Sequence, residues 1–267
     1  MVPRLTSVVT GLVVLGVVLW PLEQLFPVRR QRWLRGELTT DLAYWFLTPF
    51  VTRWLTRAAL MASILLLAAA AGIPLDGEHV KAFAANPGRA AQRQPVGIQV
   101  LEVLILGDFI GYWTHRVFHG RPLWAFHAVH HSSRELDWLS SVRLHPVNDI
   151  GSRLASALPV FLLGFSPKIL AAYVPFLTLY AIVLHANLPW TFGPLRYVLA
   201  SPAFHRWHHA ADAEGRDRNF AGLLPIIDLV FGTFHMPPGR VPEALGLPED
   251  EIVPSGLVAQ LLYPFRR

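Results

Sequence analysis

The 267-residue chain contains no cysteine. Thiolate-ligated zinc, iron–sulfur clusters, a redox dithiol and a disulfide framework are therefore excluded. Charge is scarce too: Asp, Glu, Lys and Arg make up 15% of the sequence, where a globular domain in water usually carries about a quarter. Lysine is almost missing, with Lys81 and Lys168 the two among 23 basic residues, so the net charge of +5 rests on arginine. Those arginines lie beside apolar runs and accompany no nucleic-acid motif, which fits anionic lipid headgroups and sets a nucleic-acid partner aside. The sequence shows no HExxH general-base motif, no flavin or nicotinamide fingerprint and no internal repeat.

What it has instead is long apolar stretches, within a composition that is 53% hydrophobic. Thr6–Phe26, uncharged apart from Glu23, has the ~20 residues a bilayer helix needs. The basic run Pro27–Arg35 follows it in place of a small-residue cleavage site, so an uncleaved first span with a cytoplasmic flank is expected. Thr40–Gly72, interrupted by Arg53 and Arg57, reads as an interfacial or tilted helix from Asp41 and then a fuller span over Ala58–Ala71. Ile73–Gln94, with Pro74, Gly77, Pro87 and Gly88, reads as a polar loop. Val96–Trp113 is the next span and runs into His115. Ile150–Leu163 and Ile169–His185, split by Gly164-Phe-Ser-Pro167, form a helical hairpin near the lower length limit for crossing a bilayer.

Histidine is what the chain concentrates. Eleven of its 12 histidines lie beyond residue 114, eight of them in three clusters: His115 and His119; His127, His130 and His131; His205, His208 and His209. Neutral imidazole is the commonest protein metal ligand. Residues three and four apart share a helix face, so each cluster is expected to present its rings as one stripe against which a metal can lie. The clustered rings are too many for one tetrahedral or octahedral ion and suit two ions with open positions. His185, at the end of the hairpin, is the natural ninth ligand. His145, in Arg143-Leu-His145-Pro146, is either a ligand or a helix-capping residue, and His79 and His235 are expected to be incidental.

An all-imidazole shell leaves the ions' charge uncompensated, so carboxylates are expected as acceptors for the ring N–H groups. Asp108, two helical turns before His115, is the first candidate and Asp228 the second; Asn187 is a further candidate ligand or ring partner. No catalytic residue beyond the metal ligands is expected. Imidazole alone does not separate iron, zinc, copper and nickel. On the residues alone, a membrane zinc hydrolase and a non-catalytic metal- or lipid-binding protein stay open. A metal transporter fits less well, because its ligands belong near mid-membrane and these lie at span ends.

The expected architecture is all-α: an integral membrane helical bundle of about four spans, with a cytosolic-side helical cap holding a histidine-rich dimetal site. One integrated domain is expected, divided into a transmembrane region at 1–95, a catalytic region at 96–240 and a C-terminal tail at 241–267. The Arg29–Arg35 loop, unopposed by acid, assigns its side to the cytoplasm, and alternation of the spans brings every histidine cluster to that side of a bacterial inner membrane.

The run Asp108–His119 closely resembles the first histidine box of the fatty acid hydroxylase / sterol desaturase superfamily. Leu123–Ser133 is similar to the second box and Arg143-Leu-His145-Pro146 to the segment beyond it. His185-Ala-Asn187 and Ser201–His209 resemble the third region, and Asn219-Phe-Ala-Gly222 with Asp228–Phe234 the closing signature. The likeness covers residues 100 to 235 in the family's order, while the N-terminal third is matched in hydrophobicity alone. It implies a cytosol-facing centre of two iron ions, with zinc acceptable in a purified sample. It also implies use of O2 as co-substrate to hydroxylate or desaturate a fatty acyl, sterol-like or alkylglycerol chain. The ligand role carries over to His115, His119, His127, His130, His131, His205, His208 and His209, and to His185. Some members carry a fused cytochrome b5 domain and this sequence shows none, so a separate electron donor, cytochrome b5-like or ferredoxin-like, is expected. Arg116, Arg143 and Arg206 are expected beside the ligands or at a lipid headgroup, with the lipid arriving sideways from the bilayer.

Overall fold

The computed structural model describes residues 4–32, 34–85 and 91–266. Trp33 of the basic run, and Pro87 and Gly88 of the expected loop, lie outside the described residues. Among the described residues every regular element is helical, apart from one isolated bridge between Ala210 and Leu245. The order is α1 (Leu5–Leu25), α2 (Leu38–Leu47), α3 (Arg53–Ala70), α4 (Gly77–Ala85), α5 (Val96–Phe118), α6 (Trp124–His131), α7 (Pro146–Leu162), α8 (Pro167–His185), α9 (Pro202–His208), α10 (Ile226–Val230) and α11 (Leu257–Leu262). Among the described residues, four stretches are long and apolar enough to cross a membrane: α1, the joined α2–α3, α5 and α8.

α1 is apolar all round, and Val13, Val14, Val17, Val18 and Trp20 stay exposed. Such a surface is unstable in water and ordinary against lipid. Its one acid, Glu23, is buried and accepts the backbone N–H groups of Trp138 (2.9 Å) and Asn187 (2.8 Å). The end of α1 is thereby tied to the segments that flank the histidines.

The expected interfacial helix and separate span are one apolar helix of 33 residues, with α2 joined to α3 through a π-helical turn at Thr48–Thr52. Pro49 has no N–H, so the ladder loses a bond there and the turn widens. At about 1.5 Å per residue the helix reaches about 50 Å, more than the ~30 Å hydrocarbon core, so it must tilt or protrude. α4 corrects the polar-loop expectation. Asp76 Oδ1 accepts the N–H groups of Glu78 (3.1 Å) and His79 (3.0 Å), a capping pattern that starts a helix inside that stretch.

α5 runs unbroken through His115. A Cβ at Gly107 would collide with the Tyr173 hydroxyl, so glycine is what lets α8 pack this closely. α7 and α8 are the expected hairpin, and α8 returns the chain to the histidine end at His185. The short helices α6, α9, α10 and α11, with their loops, form the cap at that end.

A buried charge network locks cap to bundle. Arg143 and Asp41 are both 0% exposed. Arg143 Nε donates to Asp41 Oδ1 (2.6 Å), and its Nη1 donates to Glu37 and to Ser132 Oγ (3.2 Å). Arg35 donates to Asp41 and, from Nε and Nη2, to Asp137 (2.7 and 2.8 Å). Arg206 is 2% exposed and donates to the Ala186 carbonyl (3.4 Å) and Asn187 Oδ1 (3.2 Å). Arg143 and Arg206 are thus internal ties, leaving the headgroup role to other cations. Asp41→Asn takes the shared carboxylate from two buried guanidiniums, of which Arg143 keeps Glu37 and Arg35 keeps Asp137, and a loss of about 1.5–3 kcal/mol of stability is expected. Thermal unfolding in detergent measures it, and adding Arg143→Met should recover part of the loss. A D41N protein as stable as the wild type would show that the network contributes nothing.

Candidate metal centre

The last turn of α5 with its C-cap carries His115 and His119, α6 carries His127, His130 and His131, α8 ends on His185, and α9 with its C-cap carries His205, His208 and His209. All nine rings meet in one region of the cap, but not as the expected stripes. They sort into two groups, each with its candidate donor atoms within 4.8 Å of one another: His115, His119, His127, His131 and His208; and His130, His185, His205 and His209. Each HxxHH cluster is divided between the groups. In α6 the i, i+4 pair His127 and His131 joins the first and the i+3 ring His130 the second, while in α9 His205 and His209 join the second and His208 the first. Helix geometry is the cause: at 3.6 residues per turn, i+4 leads residue i by about 40° and i+3 trails it by about 60°, so the two point about 100° apart. One short helix can therefore serve two centres.

The second nitrogen of most rings is fixed by an acceptor. Nδ1 of His115 donates to the Phe220 carbonyl (2.8 Å), His119 to Asp217 Oδ1 (2.9 Å), His127 to Asn148 Oδ1 (2.9 Å) and His208 to the Arg218 carbonyl (2.8 Å). In the second group His130 donates to the Arg143 carbonyl (3.1 Å) and His185 to the Ala181 carbonyl (2.7 Å). Burial, with repulsion from neighbouring rings second, holds the pKa values of His119, His127, His130, His131, His205, His208 and His209 well below the ordinary value. Those rings are neutral, with a lone pair on Nε2 wherever Nδ1 carries the proton.

This creates a problem that a cation resolves. His115 and His127 approach Nε2 to Nε2 at 3.0 Å, and His130 and His185 at 3.2 Å, although each of the four rings keeps its proton on Nδ1. Two lone pairs face each other with no hydrogen between them. The contacts His127–His131 (3.2 Å), His185–His205 (3.1 Å) and His205–His209 (3.1 Å) continue the pattern, and Nε2 of both His119 and His208 is buried without a partner. Two nitrogens bound at about 2.1 Å to one ion lie about 3.0 Å apart at a right angle and about 3.4 Å apart at the tetrahedral angle. The spacing, the donor type and the inward lone pairs all fit a metal ion in each group.

The further candidates lie elsewhere. Asp108 accepts the backbone N–H groups of Gly222, Leu223 and Leu224, and Asp228 those of Phe220 and Ala221 together with the Thr233 hydroxyl. Neither carboxylate meets an imidazole, contrary to the sequence expectation, because backbone carbonyls, an amide and Asp217 already take the ring N–H groups. Asn187 bonds Arg29 and Arg206. His145 caps α7, accepting the Val147 N–H on Nδ1 (3.1 Å) and donating from Nε2 to the Leu261 carbonyl (3.2 Å), so both its nitrogens are used away from the centre. His235 packs on Trp207 and approaches Glu214, and His79 pairs with Asp76. Sequence reasoning missed Asn148 and Asp217 as ring partners. Asn148 left a signal, a polar residue in the first turn of an apolar helix; Asp217 left none.

A cavity of about 190 Å³ opens onto the first group, lined by His119, His131 and His208 together with Arg121, Arg216, Asp217 and Glu251. Glu251 accepts the Trp124 indole N–H (2.9 Å) and the Tyr263 hydroxyl (3.2 Å), and Trp124 packs against His119 and His131. The second group is buried throughout.

Residues 100–233 match the sequence model of the fatty acid hydroxylase family. An ornithine lipid hydroxylase, OlsE, of Rhizobium tropici is 32% identical over 175 residues, 65% of this chain and 52% of that protein. An alkylglycerol monooxygenase of Danio rerio is 37% identical over 131 residues, 48% of this chain and 29% of its own length. A very-long-chain aldehyde decarbonylase, GL1-6, of Oryza sativa subsp. indica is 29% identical over 152 residues, 51% of this chain and 23% of its own. The chain thus spans about half the length of the first of these relatives and less than a third of the others. No solved structure matches.

Proposed function

The chain belongs to the fatty acid hydroxylase family, and we propose that it is an O2-dependent oxidoreductase that attacks an unactivated C–H bond of a membrane lipid at a two-iron centre held by the nine grouped rings. The observation that carries this reading is the convergence of tautomer-fixed Nε2 lone pairs into two groups at one end of the apolar helices. Relatives named for ornithine lipids and alkylglycerols support a lipid with long alkyl chains as substrate. Hydroxylation balances as C–H, O2, two electrons and two protons giving C–OH and water. Desaturation uses the same electrons and protons and leaves a double bond and two waters.

When bound, a pair of iron ions supplies the redox steps that reduce O2 to an oxidant strong enough for such a bond. The chain's own residues orient and shield. Acceptors on Nδ1 hold each fixed ring in the tautomer that turns its lone pair inward. Burial of the second group keeps water from a reactive centre. The exposed apolar faces of α1, α3, α5 and α8 give a lipid a sideways path to the cap. Electrons come from a separate donor protein of the cytochrome b5 or ferredoxin class. Arg29 donates to the carbonyls of Pro242 and Glu243, so the arginine-rich loop lies on the cap side, and positive-inside bias then supports a cytoplasmic cap in a bacterial inner membrane. A hydrolase is less well supported: of the carboxylates lining the cavity, Asp217 is engaged by His119 and Glu251 by Trp124 and Tyr263, so neither is a ready base for a metal-bound water.

Isotopically heavy O2 supplied to cells with the wild-type chain, and to cells with His205→Ala, tests the reading. A lipid carrying one heavy oxygen, or one lacking two hydrogens, is expected with the wild type alone. Identical lipid profiles from the two strains would remove the enzymatic assignment.

A further inference from the structure

Residues 217–224 form a strap across the first ring group. Three of its five rings are oriented from it: His119 by the Asp217 carboxylate, His208 by the Arg218 carbonyl and His115 by the Phe220 carbonyl. The two second-group rings whose Nδ1 meets an acceptor take it from elsewhere, His130 from Arg143 and His185 from its own helix.

The strap's shape is unusual. Asp217 and Asn219 hold φ values of 55° and 58°, a left-handed backbone that side-chain-bearing residues seldom adopt. Such a conformation persists where its surroundings over-determine it, and here they do. The Asn219 amide donates to the carbonyls of Phe204 (2.9 Å) and His235 (2.6 Å), and its Oδ1 accepts the His235 N–H (2.7 Å). The next five backbone N–H groups all end on two buried carboxylates. Asp228 takes Phe220 (2.8 Å) and Ala221 (2.9 Å), while Asp108 takes Gly222 (3.0 Å), Leu223 (2.9 Å) and Leu224 (2.7 Å). Asp108 projects from α5 and Asp228 from α10, so the strap is fastened both to a membrane span and to the cap.

We infer that Asp108, Asp228 and Asn219 are positioning residues for the first ring group alone: they hold the strap, the strap holds three ring N–H groups, and metal occupancy of that group depends on them while that of the second does not. The inference rests on the two-ion reading above. Loss of one partner to a ligand ring typically weakens metal binding about 10–100-fold, and disturbing three together is expected to reach at least about a hundredfold.

The test is a titration of the purified full-length chain in detergent with Zn2+ against a competing chelator, with bound metal counted by mass spectrometry. Asp108→Asn keeps the size of the side chain and removes its charge. Asn219→Gly keeps the left-handed backbone accessible and deletes only the pins, so it serves where Asp108→Asn fails to fold. Two ions are expected for the wild type. In each variant one ion should bind as before and the other at least about a hundredfold more weakly. His115→Ala should reproduce that one-ion state, and His185→Ala should remove the other ion instead. A strap of merely structural importance would weaken both ions together. That parallel loss, or retention of both ions, overturns the clamp. A wild type that binds fewer than two ions overturns the two-ion reading itself, and the clamp with it.

Discussion

His130→Ala is expected to lower turnover by at least about a thousandfold and to leave the fold intact. His130 belongs to the second group, where four buried rings supply the donors. Removing one leaves three, opens a coordination position to water and frees the Arg143 carbonyl that oriented the ring. The loss should fall on the chemical step and on metal content, because the ring packs among other imidazoles and supports no core cluster. Asn148→Ala offers a graded comparison. It leaves every ring in place and removes the acceptor of His127 Nδ1–H, together with a bond from Asn148 to the Ser152 hydroxyl within the same helix, so a drop of about 10–100-fold in metal affinity is expected, well short of the ring deletion. Product formation per bound metal, measured for both variants, separates the two effects. An H130A protein that keeps more than a tenth of wild-type turnover is incompatible with a reaction at this centre.

Acid should dismantle the cap. Seven rings outside the spans have pKa values held well below the ordinary 6.5, first by burial and then by one another. In the unfolded chain the same rings titrate near the ordinary value. Below about pH 6.5 the unfolded state therefore binds more protons than the folded one, and unfolding free energy rises with pH in that window. The contribution is complete above the unfolded value and is lost as pH falls, by about 1.4 kcal/mol per pH unit for each ring that stays neutral in the fold. Bound metal steepens the trend, since a protonated ring has no lone pair to offer and ions leave as rings protonate. Thermal midpoints of metal-free protein should be level above about pH 7 and fall steeply from about pH 6.5 to 5, with a slope greater than one proton. A level profile through pH 5 would mean that these rings are solvated, and the buried centre described here would not exist.

The membrane-crossing character of the chain and eight of the nine grouped histidines were legible in the linear sequence, because hydropathy and i, i+3, i+4 spacing are local properties written residue by residue; His185 was read from its place at the end of an apolar hairpin. The Asp76 cap was equally local and was passed over. What each histidine does with its two nitrogens was not legible. The division of each HxxHH between two groups depends on where α5, α8 and α9 place their rings relative to α6. The partners of the ring N–H groups are mostly backbone carbonyls, which carry no residue-type signature, and the one that orients His115 lies 105 positions away. Asp108 and Asp228 had the right charge for ring partners, yet the folded chain brings five strap amides to them first. His145 could serve as ligand or as cap until the start of α7 settled it. The sequence by itself determined which residue types gather at the ends of the apolar helices, since that follows from periodicity along one chain. Only the tertiary structure decided which lone pairs face one another, since that depends on contacts between segments far apart in sequence.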